Sequence, residues 1–191
     1  MIKNPFRKNK KNRKEKDLTN AGKKLKKLNK KFPPDSPEFT LNGWTTKGNI
    51  IDVYDGDTVT AIFGTPFTGK QKFQWKCRIV GIDTPEIRTR NKLEKKAGLR
   101  VRDYLQTMVT SAKMYGDILF YCLGPDKYGR QLVTLVLNGI NVADHLIQKG
   151  YALQYGGDTK RIWTNDMYNA IIGVHLSEEI INKQNETLLL D

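Results

Sequence analysis

The sequence has little of the chemistry that builds disulfide frameworks or zinc centres. It contains two cysteines, Cys77 and Cys122, and two histidines, His145 and His175, in 191 residues. Each cysteine lies in an apolar, strand-like run, where a buried free thiol is the usual explanation, although a bridge between the two stays open. Two cysteines are too few for a disulfide framework or a closed zinc site built on thiolates, and the scarcity of histidine disfavours zinc chemistry.

Long apolar runs are also absent from the sequence. The first residues, MIKNPFRKNKKNRKEK, are basic but are not followed by an apolar stretch, and no later window is long and apolar enough to span a membrane. We therefore expect an intracellular protein without a membrane partner.

Positive charge is concentrated at the N-terminus. Of the formal net charge of +13, residues 1–34 contribute nearly all, with fourteen Lys and Arg against Glu15 and Asp17. A basic run with few apolar residues cannot bury enough surface to offset its ordering entropy. We therefore predict that residues 1–42, which end in a Pro-rich stretch, form a disordered basic arm that attracts nucleic acid or serves only as a solubilising linker.

Residues 43–191 are long enough for one packed domain. Two strand-like segments between Ile50 and Phe63 meet at a tight turn, and Phe73 to Ile79 alternate so that Arg78 lies on the polar face. Further strands are predicted at Ile118–Leu123 and Leu132–Leu137, joined by a charged loop.

Helical periodicity separates these strands. Apolar residues at three- and four-residue steps predict a helix over Ala97–Ala112, a short one over Val142–Ile147 and a weaker one over Asp166–Ile181. The order of elements predicts an α+β domain, and the many short strands favour a small closed barrel. Period alone does not distinguish a barrel from an open sheet.

Charged and turn-forming residues are concentrated in four short segments. Oxygen ligands of this kind suit Ca²⁺ or Mg²⁺, and phosphodiester hydrolysis requires a cation, Arg side chains and a carboxylate that activates water. By itself, either acidic motif, D-G-D or D-T-P, is more typical of an ordinary turn. The segments are Asp55-Gly56-Asp57-Thr58, Arg78, Asp83-Thr84-Pro85-Glu86 and Asp126-Lys127-Tyr128-Gly129-Arg130.

In their order and spacing these motifs resemble the signature of the staphylococcal nuclease (thermonuclease) family. The resemblance covers Ile50 to Tyr155, about half the chain, and the segment from about residue 158 departs from the family pattern. It implies a five-stranded OB-fold β-barrel with about three helices, following the basic arm. The fold class is therefore expected to be α+β.

The resemblance also implies a role for each residue of the motifs. Asp55 is expected to shape its turn, and Tyr155 is a candidate stacking residue that is equally well explained as a structural tyrosine. The implied cation is Ca²⁺, or Mg²⁺ or another divalent ion, held by the carboxylates of Asp57 and Asp83 and the backbone carbonyl of Thr84. Glu86 is implied to orient or deprotonate water. Arg78 and Arg130 are implied to bind the scissile phosphate, and Lys127 and Tyr128 a neighbouring phosphate.

The function that the resemblance implies is that of an endonuclease of the thermonuclease type, with metal-dependent hydrolysis of DNA, RNA or both, little sequence specificity and 3′-phosphate product ends. Unpaired strands are the expected substrate, since OB barrels commonly bind single strands, and we expect the protein to act as a monomer. One alternative is an inactive member that only binds nucleic acid. Another is a chromosome-packaging or scaffold protein that acts through its basic arm. The complete motif set favours the enzyme.

Overall fold

The structure, a computed structural model, describes residues 6–31, 35, 38–157, 159 and 161–173. The chain divides into two compact units between Phe39 and Thr40. None of the helices in these ranges is long and apolar enough to cross a membrane.

The first unit is a helix, α1, which spans Phe6–Lys31. It replaces the disordered arm that the sequence analysis expects for these residues. The physical reason is local: Lys, Arg and Leu are strong helix formers, and the segment contains no proline. Leu18, Leu25 and Leu28 lie three and seven residues apart, so they share one face of the helix, and all three are exposed.

The second unit is a mixed α+β domain, as predicted. Its described helices are α2 (Lys92–Tyr115), α3 (Val142–Gln148) and α4 (residues 165–173), and residues 174–181 of the third predicted helix lie outside the described part of the chain. Its strands are β1 (Thr45–Lys47), β2 (Asn49–Val53), β3 (Thr58–Gly64), β4 (Lys72–Ile79), β5 (Gly81–Asp83), β6 (Ile118–Pro125), β7 (Gln131–Leu137), β8 (Ile140–Asn141) and β9 (Leu153–Tyr155).

Most of the strands belong to one sheet with the order β1-β6-β7-β4-β3-β2, in which only β4 and β7 are parallel. β8 pairs with β7 across the turn predicted at Asn138-Gly139, where both residues have positive φ. β5 and β9 form a separate two-stranded sheet. The hydrogen-bonded order of the large sheet is open, with β1 and β2 at its two ends.

The core lies between this sheet and helix α2. Val101, Leu105, Val109 and Ala112 are fully buried along one face of α2, which confirms the predicted amphipathic helix. The helix starts earlier than predicted because Asn91 caps it, its side chain accepting hydrogen bonds from the backbone N–H groups of the next turn.

Both cysteines lie in this core as free thiols, as predicted. Burial raises the pKa of Cys77 to about 12 and that of Cys122 to about 11. Thiols with such pKa values are protonated at neutral pH and are poor nucleophiles. The cysteines are therefore packing residues.

Candidate active site

The turn between β2 and β3 carries the first acidic motif. Asp55 Oδ1 accepts a hydrogen bond from the backbone N–H of Asp57 at 3.1 Å, consistent with the expected role of Asp55 in shaping the turn. A Cβ at Gly56 would lie 2.6 Å from a Val101 methyl and 2.8 Å from the Thr84 hydroxyl oxygen. Glycine at this position therefore allows the acidic turn to press against α2 and the Thr84 loop.

Asp57 and Arg78 form a buried ion pair at the centre of the site. Strand pairing places Arg78 opposite Thr58, and its Nη1 contacts Asp57 Oδ2. Asp57 also accepts hydrogen bonds from the Thr58 hydroxyl at 2.9 Å and from the Thr84 hydroxyl at 3.3 Å. Arg78 Nη2 donates to the backbone carbonyl of Ile82 at 3.0 Å. Arg78 is thus held by its neighbours in one orientation.

The charge of Arg78 is exposed to little water. Burial lowers the pKa of Arg78, and the nearby positive charge of Arg130 lowers it further, whereas Asp55 and Asp83 raise it. Because electrostatic attraction is stronger where water is excluded, a desolvated guanidinium here is well suited to bind an anion.

The second arginine is positioned by the loop between β6 and β7. Asp126 Oδ1 accepts hydrogen bonds from the backbone N–H groups of Tyr128 and Arg130, both at 2.9 Å, and Oδ2 accepts one from Arg130 Nε at 2.7 Å. Burial alone would raise the pKa of Asp126, but these hydrogen bonds outweigh it and hold the pKa below its usual value. Arg130 Nη1 reaches the Thr58 hydroxyl at 3.3 Å, which places its guanidinium beside the Asp57 turn.

Glu86 lies in the exposed loop that follows β5. Its Oε1 accepts a hydrogen bond from the backbone N–H of Arg88 at 3.1 Å, and its own N–H donates to Glu94 Oε1 at 3.3 Å. Burial raises the pKa of Asp55, and the negative charge of Glu86 raises it further. The two carboxylates are therefore close enough to interact.

Trp163 is a site residue that sequence reasoning missed. Its Nε1–H donates to Asp83 Oδ2 at 3.2 Å, and its ring stacks on Tyr168 of α4 with centroids 5.9 Å apart. Burial raises the pKa of Tyr168 to about 12, and Glu94 and Asp83 raise it in addition. The segment after residue 158 therefore contacts the site. Its only signal in the sequence is a tryptophan within a polar stretch.

All eight residues that the sequence analysis assigns to the site line one cavity of about 380 Å³. Asp55, Pro85 and Tyr155 complete the described lining. Asp57, Arg78, Asp83 and Thr84 are buried at its base, whereas Glu86, Lys127 and Tyr128 are exposed at its edge. Five separate segments of the sequence thus converge on one charged cavity.

The donor atoms at the base fit a hard divalent cation. Asp57, Asp83 and Thr84 offer only oxygen ligands, and Asp57 already uses three of its roughly four lone-pair sites on protein groups. Among the described residues, no group of three or more His, Cys, Asp or Glu side chains is arranged to hold a metal by itself. A cation here would therefore need backbone oxygen, water or substrate to complete its coordination.

Comparison with known families identifies this set of motifs. The family described as staphylococcal nuclease homologue matches residues 76–172, just over half of the chain. The chain belongs to this family. The matched region contains Arg78, Asp83, Glu86 and Arg130 of this nuclease-family site, and Asp57 lies before it.

Two relatives are similar to part of this chain. An uncharacterized protein of the archaeon Methanocaldococcus jannaschii is 31% identical over 128 residues, which cover 56% of this chain and 58% of that protein. An uncharacterized protein of Bacillus anthracis is 29% identical over 124 residues, which cover 63% of this chain and 53% of that protein. The chain thus spans little more than half the length of these relatives, and their names state no activity.

Gly98 lies where α2 closely contacts the loop that follows β5. A substitution at Gly98 therefore tests how the fold positions the site. A Cβ at Gly98 would lie 2.6 Å from the backbone carbonyl oxygen of Pro85. Gly98→Ala should displace the loop that carries Asp83 and Glu86, lowering the free energy of unfolding in urea by about 1–3 kcal/mol despite alanine's better helix propensity. The control is Gly173→Ala in α4, where nothing lies within 4 Å of the added Cβ. Equal urea midpoints for the two variants would contradict this packing.

Proposed function

We propose that the protein is a metal-dependent nuclease that hydrolyses phosphodiester bonds in DNA, RNA or both, with little sequence specificity, and leaves 3′-phosphate ends. The observation that carries this proposal is the convergence of Arg78, Arg130 and Glu86 with the acidic residues Asp57 and Asp83 in one cavity. Membership of the nuclease-homologue family supports nucleic-acid binding on a nuclease-like fold.

The two arginines are proposed to bind the scissile phosphate. Arg78 comes from the floor of the cavity and Arg130 from the loop above Thr58, so they reach the cavity from two sides. A planar guanidinium binds two phosphate oxygens at once and remains charged at any physiological pH. Both groups can therefore stabilise the charge that grows on the phosphoryl oxygens as water attacks.

Glu86 is proposed to accept a proton from the attacking water. Its carboxylate is exposed at the edge of the cavity, and the backbone N–H of Arg88 holds one of its oxygens in place. The new bond joins the water oxygen to phosphorus, and the bond to the 5′ oxygen of the next nucleotide breaks. That oxygen takes up a proton, which leaves the phosphate on the 3′ side.

The cation is proposed to be Ca²⁺, with Mg²⁺ as the alternative, held by Asp57, Asp83 and the backbone carbonyl of Thr84. When bound, it would offset negative charge on the phosphoryl oxygens. Trp163 would act through Asp83, since its hydrogen bond orients that carboxylate.

Lys127 and Tyr128 are proposed to bind a neighbouring phosphate of the strand. Tyr128 is 73% exposed, with the Lys127 ammonium 5.1 Å and the Arg130 guanidinium 5.7 Å from its ring centre. An exposed ring surrounded by cations suits a flexible single strand more than a paired duplex. We also propose that the protein acts as a monomer.

We also propose that the large sheet is the five-stranded barrel expected from the resemblance, with Thr45–Val53 acting as one strand. β1 and β2 are separated only by Gly48, and β1 pairs with β6 while β2 pairs with β3. A Cβ at Gly48 would lie 2.9 Å from both the Ile62 carbonyl oxygen and the Phe120 ring. A single glycine packed closely against both β3 and β6, the strands that pair with β2 and β1, supports closure at this point.

The proposed activity is tested with single-stranded DNA and with RNA, each in Ca²⁺, in Mg²⁺ and in chelator, followed by mapping of the product ends. We expect cleavage that disappears in chelator and leaves 3′-phosphates. Binding without cleavage in every metal would instead favour a non-catalytic nucleic-acid-binding module.

A further inference from the structure

A second cavity, of about 440 Å³, adjoins the active site. Asp55, Glu86 and Arg130 line both cavities, so the groups proposed to act on the scissile phosphate lie where the two meet. The residues that belong to the second cavity and not to the first are Tyr54, Thr58, Thr60, Lys76 and Arg88. None of these is assigned a substrate role by the family motifs.

The floor of the second cavity continues the floor of the first. On β4, Lys76 lies two residues before Arg78, so the alternation of a strand places both side chains on the same face. On the neighbouring strand β3, Thr60 pairs with Lys76 just as Thr58 pairs with Arg78. A polar track therefore runs along the β3–β4 pair from the active site into the second cavity.

The charges that belong to the second cavity alone are both positive. With Lys76 and Arg88, the described lining of the second cavity has three cations against the two carboxylates shared with the first cavity, whereas the first cavity has three cations against four carboxylates. This excess of positive charge beside a phosphate site favours a further negative charge. The next phosphate of a polynucleotide meets this requirement.

Tyr54 and Arg88 form a stacking platform over this cavity. The Arg88 guanidinium lies 5.0 Å from the centre of the Tyr54 ring, which is 38% exposed. Tyrosine rings and guanidinium planes are the surfaces on which unpaired bases stack. Because the backbone N–H of Arg88 also holds Glu86, the platform has a defined position relative to that carboxylate.

We propose that the second cavity binds the nucleotide on the opposite side of the scissile phosphate from Lys127 and Tyr128. A strand would then continue in both directions from the reacting phosphate, as cleavage at an internal linkage of a single strand requires. The effect of this cavity on cleavage rests on the proposed nuclease function. Its effect on the affinity for a single strand can be measured without cleavage.

The cleavage test uses circular single-stranded DNA, which has no ends. The wild-type protein should nick the circle. In Arg88→Ala and Tyr54→Ala, KM for the circle should rise by about tenfold, more than kcat falls, as expected for the loss of one stacking contact. The matched controls are Arg90→Ala, from the same loop but outside the cavity lining, and Tyr121→Ala, an exposed tyrosine on β6.

The binding test uses a fluorescent single-stranded 12-mer in the Glu86→Gln background. Arg88→Ala should weaken its affinity by about tenfold and Arg90→Ala by less than about twofold. Cleavage of linear DNA with an intact circle, or equal affinities for the two arginine variants, would overturn the second cavity as a nucleotide site. Absence of all cleavage with a selective loss of affinity in Arg88→Ala would refute the nuclease function and support the binding surface.

Discussion

Arg78→Ala is expected to slow cleavage strongly and to destabilise the domain, whereas Arg130→Ala is expected to slow cleavage alone. Each loses a guanidinium proposed to stabilise the transition state, which should lower kcat by about 10²–10³. The difference lies in their surroundings. The Arg78 and Asp57 side chains are 11% and 10% exposed, so loss of Arg78 leaves a buried carboxylate without its cation. Breaking such a pair costs about 3–5 kcal/mol of folding free energy.

Arg130 is more exposed, and its loop does not depend on its side chain. Asp126 still accepts hydrogen bonds from the backbone N–H groups of Tyr128 and residue 130 after the substitution. The free energy of unfolding in urea should therefore fall much less in Arg130→Ala than in Arg78→Ala. Arg78→Lys should recover part of the stability but not the cleavage, because an ammonium cannot reproduce the two-sided contact of the guanidinium with Asp57 and the Ile82 carbonyl.

The control for both arginines is Arg102→Ala. Arg102 lies on α2 and pairs with the exposed Asp103, so neither cleavage nor stability should change appreciably. If Arg78→Ala kept wild-type turnover in folded protein, Arg78 would have no part in the reaction.

Glu86→Gln is expected to lower kcat by about 10²–10⁴ while single-stranded DNA still binds. The amide oxygen of glutamine can accept the same hydrogen bond from the Arg88 N–H, so the loop should keep its conformation. What is lost is the carboxylate that is proposed to take the proton from water. The measurements are kcat on single-stranded DNA and affinity for the same strand in chelator.

A matched control for Glu86→Gln is Asp117→Asn. Asp117 forms an exposed pair with Lys47 at 2.8 Å, at the start of β6 and outside both cavities, so its loss should leave kcat within about twofold. Equal kcat values for Glu86→Gln and the wild type would remove Glu86 from the mechanism. Loss of binding together with kcat would show instead that the variant disturbs the loop.

Short-range patterns predicted most of the second unit. The spacing of apolar residues indicated α2, and alternation indicated β4 and the polar side of Arg78, because these periods follow from backbone geometry alone. The same reasoning did not predict helix α1, because it considered only the lack of hydrophobic burial and neglected the helix propensity of Lys and Arg.

The sequence by itself determined which side chains are candidates for the chemistry, since the acidic turns, two arginines and a glutamate occur in the order and spacing of the family's motifs. Only the tertiary structure decided which other residues contact these side chains and line the cavities around them. Trp163 reaches Asp83 across 80 positions, and Tyr54 meets Arg88 at the edge of a second cavity. Neither contact follows a local period, because strand pairing and helix packing bring these segments together through burial that no short window records.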